Sequence, residues 1–156
     1  MRVSDRKLLL TLIGEGQARV GHVFKLIAVP EECKRCRLYS ACMGKLKLRR
    51  RYRVVEVRRI NLPRVERCLL TGETLVPVIV EELPSILAIP AGPNIVEGVV
   101  TTYVKVDGFC QDSLVRKFGG EPIEIANETK VKILRILGRE QCGSRTYVVA
   151  EVLPLD

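Results

Sequence analysis

Four cysteines in the first half of the chain have a spacing that could bind one metal centre. Cys33, Cys36 and Cys42 form the pattern C-x2-C-x5-C, and Cys68 follows further along the chain. Two thiolates separated by two residues can bind a metal from one tight turn, and five more residues allow the chain to return with a third. A fourth soft ligand is then needed, and we predict that Cys68 supplies it.

The same spacing leaves the identity of the metal open between an iron–sulfur cluster and zinc. The x5 interval differs from the paired C-x2-C knuckles of structural zinc sites, whereas a closed set of four cysteines is also ordinary zinc coordination. A disulfide from Cys33 to Cys36 or Cys42 is the competing interpretation. A redox C-x-x-C usually lies at a helix start after a parallel strand, however, and the surrounding sequence does not indicate that setting.

Positive charge is concentrated around these cysteines. The chain has 26 Lys and Arg against 18 Asp and Glu, a net charge of +8. Residues 34–67 contain 13 of those cations and two acids, a surplus of +11, which leaves −3 for the rest. Because acids are missing nearby, anion binding is favoured over a solvated face of mixed charge. The predicted nucleic-acid contacts are Lys34, Arg35, Arg37, Lys45, Lys47, Arg49, Arg50, Arg51, Arg53, Arg58 and Arg59.

Composition disfavours several other functions. The chain has a single histidine, His22, and 4% aromatic residues, which leaves little for acid–base catalysis or for stacking unpaired bases. The longest early apolar run, Leu8 to Ile13, is far shorter than a bilayer span and precedes no cleavage site, which predicts a cytoplasmic protein without membrane association. We predict a non-catalytic, metal-stabilised protein that binds structured RNA or the ribosome.

Two other function classes stay open. An iron–sulfur enzyme for electron transfer or nucleic-acid cleavage would use the basic residues to guide its substrate, although the sequence brings no carboxylate, serine or histidine set to the cysteine motif. A protein-interaction module would instead bind an acidic protein partner through the cationic strand.

The elements that must position these residues are β-strands, and their order repeats. Strand-like segments of the first half are residues 8–13, 20–29, 51–59 and 74–83. The second half repeats them at residues 85–89, 99–106, 129–137 and 146–153. Short helical turns fit residues 38–46 and 113–118. We predict an all-β fold built from two repeat units, residues 1–84 and 85–156, that together form a pseudo-two-fold barrel or sandwich.

The duplication also pairs the cysteines of the two halves. A shift of 77 places Cys33 on Cys110, and a shift of 70 aligns the last strands. Cys68 corresponds to Cys142, because each precedes the last strand of its half. The second half lacks the other two thiols and is a degenerate copy of the site. Cys110 and Cys142 could form a disulfide, stay free or be buried as small apolar residues. We favour the disulfide, because organisms that live in heat keep intracellular ones.

Several segments together resemble an uncharacterised archaeal family, uncharacterised protein family zero-one-seven-nine. They are ECKRC with its following Cys, RRYRVVEV, IVEG and KILRILGREQC. The resemblance covers nearly the whole chain. Family members look as if they carry cysteine clusters in both halves, and this sequence departs from that pattern by keeping only Cys110 and Cys142 in the second. The resemblance implies an archaeal setting and a metal, and it implies no activity.

A more local resemblance is to the C-x2-C-x5-C iron–sulfur staple of RecB-like nucleases. Such nucleases also need an E-x-K on a core β-hairpin together with an upstream carboxylate. Glu128 and Lys130 match E-x-K, but they precede their apolar strand and have no suitable acidic partner upstream. We interpret them as surface residues.

Overall fold

Antiparallel β-strands make up most of the regular structure, as the all-β prediction requires. The structure is a computed structural model that describes residues 7–58, 67–68 and 70–156. The chain divides into two compact units, residues 1–83 and 84–156. Within the described ranges, no helix is long and apolar enough to cross a membrane.

Unit 1 is a four-stranded sheet with a helical connection. Its strands are β1 (Leu8–Gly14), β2 (Val23–Lys25), β3 (Arg51–Val57) and β4 (Leu75–Glu82). They pair in the order β1-β4-β3-β2, and each pair is antiparallel. Two short helices, α1 (Glu31–Lys34) and α2 (Tyr39–Cys42), lie on the connection from β2 to β3. That connection carries three of the four predicted metal ligands.

The core of unit 1 follows from the alternation of side chains along β3. Tyr52 and Val54 are fully buried, whereas Arg51 and Arg53, which alternate with them along the strand, are exposed. Successive side chains of a strand point to opposite faces, so one face of β3 builds the core and the other is cationic. The ring of Phe24 on β2 stacks on Tyr52 with 5.7 Å between centroids.

Unit 2 repeats this arrangement with a longer helix. Its strands are β5 (Ser85–Pro90), β6 (Val100–Thr102), β7 (Lys130–Cys142) and β8 (Arg145–Pro154), in the order β5-β8-β7-β6. The helix α3 (Gly108–Lys117) lies between β6 and β7. It is longer than the short turn predicted at residues 113–118. The Asp107 side chain caps it by accepting the amides of Phe109 and Cys110 at 2.9 and 3.1 Å.

The duplication is confirmed by hydrogen bonds that recur in the two units. The amide of Gly21 donates to the carbonyl of Val54 at 2.8 Å, and Gly98 donates to Ile133 at 2.7 Å. The pairing of β3 with β4 shifts register directly after Val54, and the pairing of β7 with β8 shifts register directly after Ile133. Matching strand order, turn and irregularity indicate that each unit is one copy of the same β module.

Strained backbone recurs as well. Arg49 and Glu128 are the non-glycine residues with positive φ in the described ranges, at 65° and 68°. The amide of Arg49 donates to the carbonyl of Leu26, which follows β2, at 2.6 Å. In the same way, the amide of Glu128 donates to the carbonyl of Tyr103, which follows β6, at 2.8 Å. A left-handed conformation at a residue with a Cβ costs about 1–2 kcal/mol. Its repetition shows that the duplicated fold imposes it.

The predicted shift of 70 between the last strands is wrong by two residues. Val54 faces Val80 and the equivalent Ile133 faces Val152, so Val80 corresponds to Val152, a shift of 72. Both shifts keep the same residues on the buried face, because side chains alternate with a period of two. Apolar alternation alone therefore could not distinguish them.

Candidate metal centre and basic surface

The connection between β2 and β3 presents Cys33, Cys36 and Cys42 from two helical turns. α1 begins after Pro30, whose carbonyl accepts the amide of Cys33 at 3.0 Å. The Cys33 carbonyl in turn accepts the amide of Cys36 at 3.1 Å. The amide of Leu38 lies 3.5 Å from the Cys36 sulfur and donates to it. This contact fixes the position of the Cys36 sulfur relative to the second helical turn.

Cys42 is held against the sheet. Its thiol donates to the carbonyl of Leu12 on β1 at 3.4 Å, and the hydroxyl of Thr11 donates to the Cys42 carbonyl. Thr11 is itself buried. The third predicted ligand is thereby attached to two neighbouring residues of β1, to Leu12 through its side chain and to Thr11 through its backbone.

Cys68 lies at the start of the turn that leads into β4. Its amide donates to the Glu73 carbonyl at 2.9 Å, and the amide of Gly72 donates to the Cys68 carbonyl at 2.8 Å. Gly72 has φ +75°, a conformation that glycine adopts without a steric penalty. The neighbouring bridge between Arg67 and Thr74 closes the base of this turn.

All four predicted ligands line one pocket of about 330 Å³, which we call the cysteine pocket. Its other walls are mostly apolar, and they include Ile13, Phe24 and Leu75 from the sheet and Leu38 and Leu46 from the connection. The fold therefore brings Cys68 to the three cysteines of the C-x2-C-x5-C motif. Across residues 7–58, 67–68 and 70–156, no three His, Cys, Asp or Glu side chains are arranged as a metal coordination shell.

The thiols of the cysteine pocket have different affinities for protons. Burial, followed by the neighbouring thiol groups of Cys68, Cys33 and Cys36, raises the pKa of Cys42 to about 11. Burial and then Cys68 also raise the pKa of Cys33. Hydrogen bonds from Thr71 lower the pKa of Cys68. Repulsion among neighbouring thiolates is the interaction that a bound cation reverses, so this donor set is chemically suited to a thiophilic metal.

Thr71 is a contributor that sequence reasoning missed. Its side chain is the largest cause of the lowered Cys68 pKa, ahead of the backbone amides of Thr71 and Leu70. A hydroxyl residue three positions after a cysteine and just before a glycine is the signal that could have identified it.

Arg50 is a predicted nucleic-acid contact that the structure contradicts, because its side chain is 1% exposed and is therefore not accessible to a ligand. Arg50 precedes Tyr52 by two residues and therefore points to the same inner face of the sheet. Its guanidinium lies 3.7 Å from the buried carboxylate of Glu82, which also pairs with Lys7 at 3.2 Å. In a run of three arginines, the sequence alone did not show which one faces inward.

Acidic partners lie beside other predicted contacts, among them the following three. Lys34 pairs with Glu31 at 3.2 Å, Arg58 lies 3.6 Å from Glu56, and Arg53 binds the largely buried Glu81. Glu81 is distant in sequence and reaches Arg53 because β3 and β4 are neighbours. Such pairs reduce the charge that these cations offer to another anion. Arg59 lies outside the described residues.

The remaining predicted cations form the surface that we call the basic loop. All of them are exposed, and all lie on the connection from α1 to β3 or on the first residue of β3: Arg35, Arg37, Lys45, Lys47, Arg49 and Arg51.

The end of the basic loop is fixed by the fold itself. The amide of Lys47 donates to the hydroxyl of the buried Tyr52 at 2.7 Å, and Leu46 packs against the core of unit 1. The amide of Arg49 donates to Leu26 at 2.6 Å. Lys47 and Arg49 therefore have a defined backbone position relative to the sheet, whereas Arg35 and Arg37 lie on the cysteine-bearing turns.

Unit 2 contains a disulfide between Cys110 and Cys142, with 5.9 Å between their Cα atoms. It joins α3 to the end of β7. Cys110 is buried and packs with Leu114, Tyr147 and Val149. Of the three interpretations open at the sequence level, the structure contains the disulfide.

Fold and site together define a duplicated all-β protein. One unit carries a pocket of four thiols next to a basic loop, and the other carries a disulfide. The family model for the uncharacterised protein family UPF0179 matches residues 9–152. The chain belongs to this family.

Its relatives come from archaea. A UPF0179 protein of Caldivirga maquilingensis is 44% identical over 147 residues, which cover 94% of this chain and 98% of the relative. One from Pyrobaculum arsenaticum is 40% identical and covers 93% and 80%, and one from Pyrococcus furiosus is 32% identical and covers 94% and 96%. No solved structure matches the chain significantly.

Proposed function

We propose that this protein is a non-catalytic, cytoplasmic RNA-binding protein that contacts structured RNA, such as the ribosome, through the basic loop. The observation that carries the proposal is the exposure of Arg35, Arg37, Lys45, Lys47, Arg49 and Arg51 on one connection of unit 1. Guanidinium groups form bidentate hydrogen bonds with phosphate oxygens and position a nucleic acid without reading its sequence.

The position of the tyrosines supports structured RNA over an unpaired strand. Tyr52 is fully buried and accepts a hydrogen bond from the Lys47 amide, so its ring is withdrawn from ligands. Tyr39 is half-buried against the cysteine pocket. Binding of single strands relies on exposed rings that stack on bases, whereas a duplex is held largely through its backbone.

A metal centre on Cys33, Cys36, Cys42 and Cys68 is the second part of the proposal. Zinc or an iron–sulfur cluster would supply a positive charge to the thiolates and join the two chain segments that carry them. The groups that would support it are the side chain of Thr71, through its hydrogen bond to Cys68, and the backbone amide of Leu38, which donates to the Cys36 sulfur. Order in this region lowers the entropy cost of placing Arg35 and Arg37 on phosphates.

Binding of the full chain to an RNA hairpin across a salt series tests the RNA proposal. We expect the logarithm of the binding constant to fall linearly with the logarithm of salt concentration, with a slope that loses about one unit for each phosphate contact removed. The variant Lys45→Glu/Arg49→Glu should bind more weakly at low salt and have a shallower slope.

A matched charge reversal in unit 2 provides the control. Lys105 and Arg145 are both exposed and lie far from the basic loop in sequence. The variant Lys105→Glu/Arg145→Glu has the same change in net charge and should retain most of the affinity. Equal losses in the two variants, or salt-independent binding, would contradict the proposal. Persistent capture of an acidic protein after nuclease treatment would favour the interaction-module alternative instead.

A further inference from the structure

The disulfide of unit 2 occupies a place that unit 1 fills with two of its thiols. Cys33 and Cys110 each lie three residues after the residue that caps their helix, Pro30 in α1 and Asp107 in α3. The duplication superimposes the two helix starts, because β2 and β6 precede them at the same interval. Cys33 is therefore the counterpart of Cys110 in backbone position as well as in residue type.

Cys68 is the counterpart of Cys142 by the same reasoning. Gln141, directly before Cys142, pairs with Thr146 near the start of β8. Arg67, directly before Cys68, forms a β-bridge with Thr74, the residue before β4. Each cysteine precedes a turn that contains a glycine with positive φ. The turn after Cys68 has two more residues than the turn after Cys142, but the pairing at its base is the same.

The two thiols of unit 1 also share the cysteine pocket. In unit 2 the equivalent backbone positions bring their Cα atoms to 5.9 Å, within the range that disulfides adopt. Cys36 and Cys42 have no cysteine counterpart in unit 2. Cys42 is further restrained by its contact with the Leu12 carbonyl.

We infer that Cys33 and Cys68 are a disulfide-forming pair, and that an oxidised, metal-free state of unit 1 closes with a Cys33–Cys68 bond as unit 2 closes with Cys110–Cys142. The oxidant is a low-molecular-weight disulfide such as oxidised glutathione. One sulfur–sulfur bond forms between the two cysteines, the bond of the glutathione disulfide breaks, and the two thiol protons pass to the released glutathione sulfurs.

This inference requires neither RNA nor a bound metal. Metal binding and the disulfide are mutually exclusive, because both use the same two sulfurs. The oxidised state would keep α1 joined to the turn before β4, and the cysteine pocket would then have two alternative closures. One is a metal on four thiols, and the other is a disulfide that leaves Cys36 and Cys42 free.

Peptide mapping of the oxidised full chain provides the test. Lys and Arg residues separate all four cysteines of unit 1 in the sequence, so trypsin releases each one on its own peptide. The protein is reduced with a chelator present, freed of reductant, oxidised with oxidised glutathione and digested without reduction. We expect a Cys33–Cys68 linked pair of peptides next to the Cys110–Cys142 pair, which serves as an internal standard.

Single cysteine-to-serine variants show which cysteine forms the disulfide with Cys33. Cys36→Ser and Cys42→Ser should retain the Cys33–Cys68 link at the wild-type yield, and Cys68→Ser should lose it. A predominance of Cys33–Cys36 or Cys36–Cys42 links would overturn the inference. Recovery of the Cys110–Cys142 link without any Cys33–Cys68 link would also overturn the inference. That result would show that unit 2 is folded while the thiols of Cys33 and Cys68 do not come within bonding distance.

Discussion

Replacing Arg50 should destabilise unit 1 far more than replacing any residue of the basic loop. Arg50 and Glu82 are 1% and 0% exposed in their side chains, and their charged groups lie 3.7 Å apart. Arg50→Met removes the cation and leaves the carboxylate buried. Breaking a buried pair in this way costs about 3–5 kcal/mol.

Lys7 reduces that cost. Its ammonium lies 3.2 Å from the same carboxylate and is 19% exposed, so part of the compensating charge remains in the variant. We therefore expect the lower end of the range, about 3 kcal/mol, which is about a hundredfold change in the unfolding equilibrium. For a chain of this size, that loss corresponds to a decrease in Tm of about 6–12 °C.

Urea unfolding followed by circular dichroism measures the effect, with Arg35→Met as the matched control. Arg35 is exposed, and its replacement should change stability by no more than about 0.5 kcal/mol. The double variant Arg50→Met/Glu82→Leu should recover part of the loss, because it removes the buried carboxylate, while the partly exposed ammonium of Lys7 loses that one partner. A loss below about 1 kcal/mol for Arg50→Met, or no recovery in the double variant, would refute the assignment of Arg50 to a buried ion pair.

Two further predictions concern the cysteines. In metal-free protein, alkylation by iodoacetamide should reach Cys68 at the lowest pH and Cys42 at the highest, because hydrogen bonds from Thr71 lower the pKa of Cys68 while burial raises that of Cys42 to about 11. The Cys42 rate should still be rising tenfold per pH unit at pH 9, and mass spectrometry of the labelled peptides would disagree with this reasoning if Cys42 reacted first. The disulfide of unit 2 closes a loop with a sequence separation of 32, so Cys110→Ala/Cys142→Ala should lower the free energy of unfolding by about 3–4 kcal/mol. An unchanged urea midpoint would show that the packing of α3 on β5 holds the loop without it.

The sequence predicted the β class and the duplication because both rest on local signals. Alternation in β3 and glycines at turns are visible in single segments, and the correspondence of Cys33 with Cys110 is visible when two such segments are aligned. The register of the last strand was missed by two residues, since a period of two leaves such a shift without a penalty in burial. Hydrogen-bond pairing across strands was needed to establish it.

The basic surface was only partly predictable for a related reason. The excess of cations between residues 34 and 67 is a property of composition, but the facing of each side chain depends on its place along a strand. Arg51 points outward, whereas Arg50 points inward to a carboxylate on β4 that is distant in sequence. Glu81 likewise reaches Arg53 only through strand pairing. Charge counts over a segment cannot resolve such partners.

RNA binding before and after metal removal tests most directly the claim that the cysteine pocket organises the cationic surface. The amides of Lys47 and Arg49 are fixed by the fold, so metal loss should mainly release Arg35 and Arg37. If the protein is purified with a metal bound, chelation should weaken binding of an RNA hairpin about tenfold. This corresponds to a loss of about 1.4 kcal/mol of binding free energy, the cost of ordering the two arginines on binding.

The variant Arg35→Ala/Arg37→Ala should bind more weakly than the wild type and change little on chelation. The variant Lys45→Ala/Lys47→Ala should still lose about tenfold, because it keeps the two arginines that the proposed metal would order. Wild-type affinity that is unchanged by complete metal removal, or protein that contains no metal on the four thiols when purified without oxygen, would contradict the account.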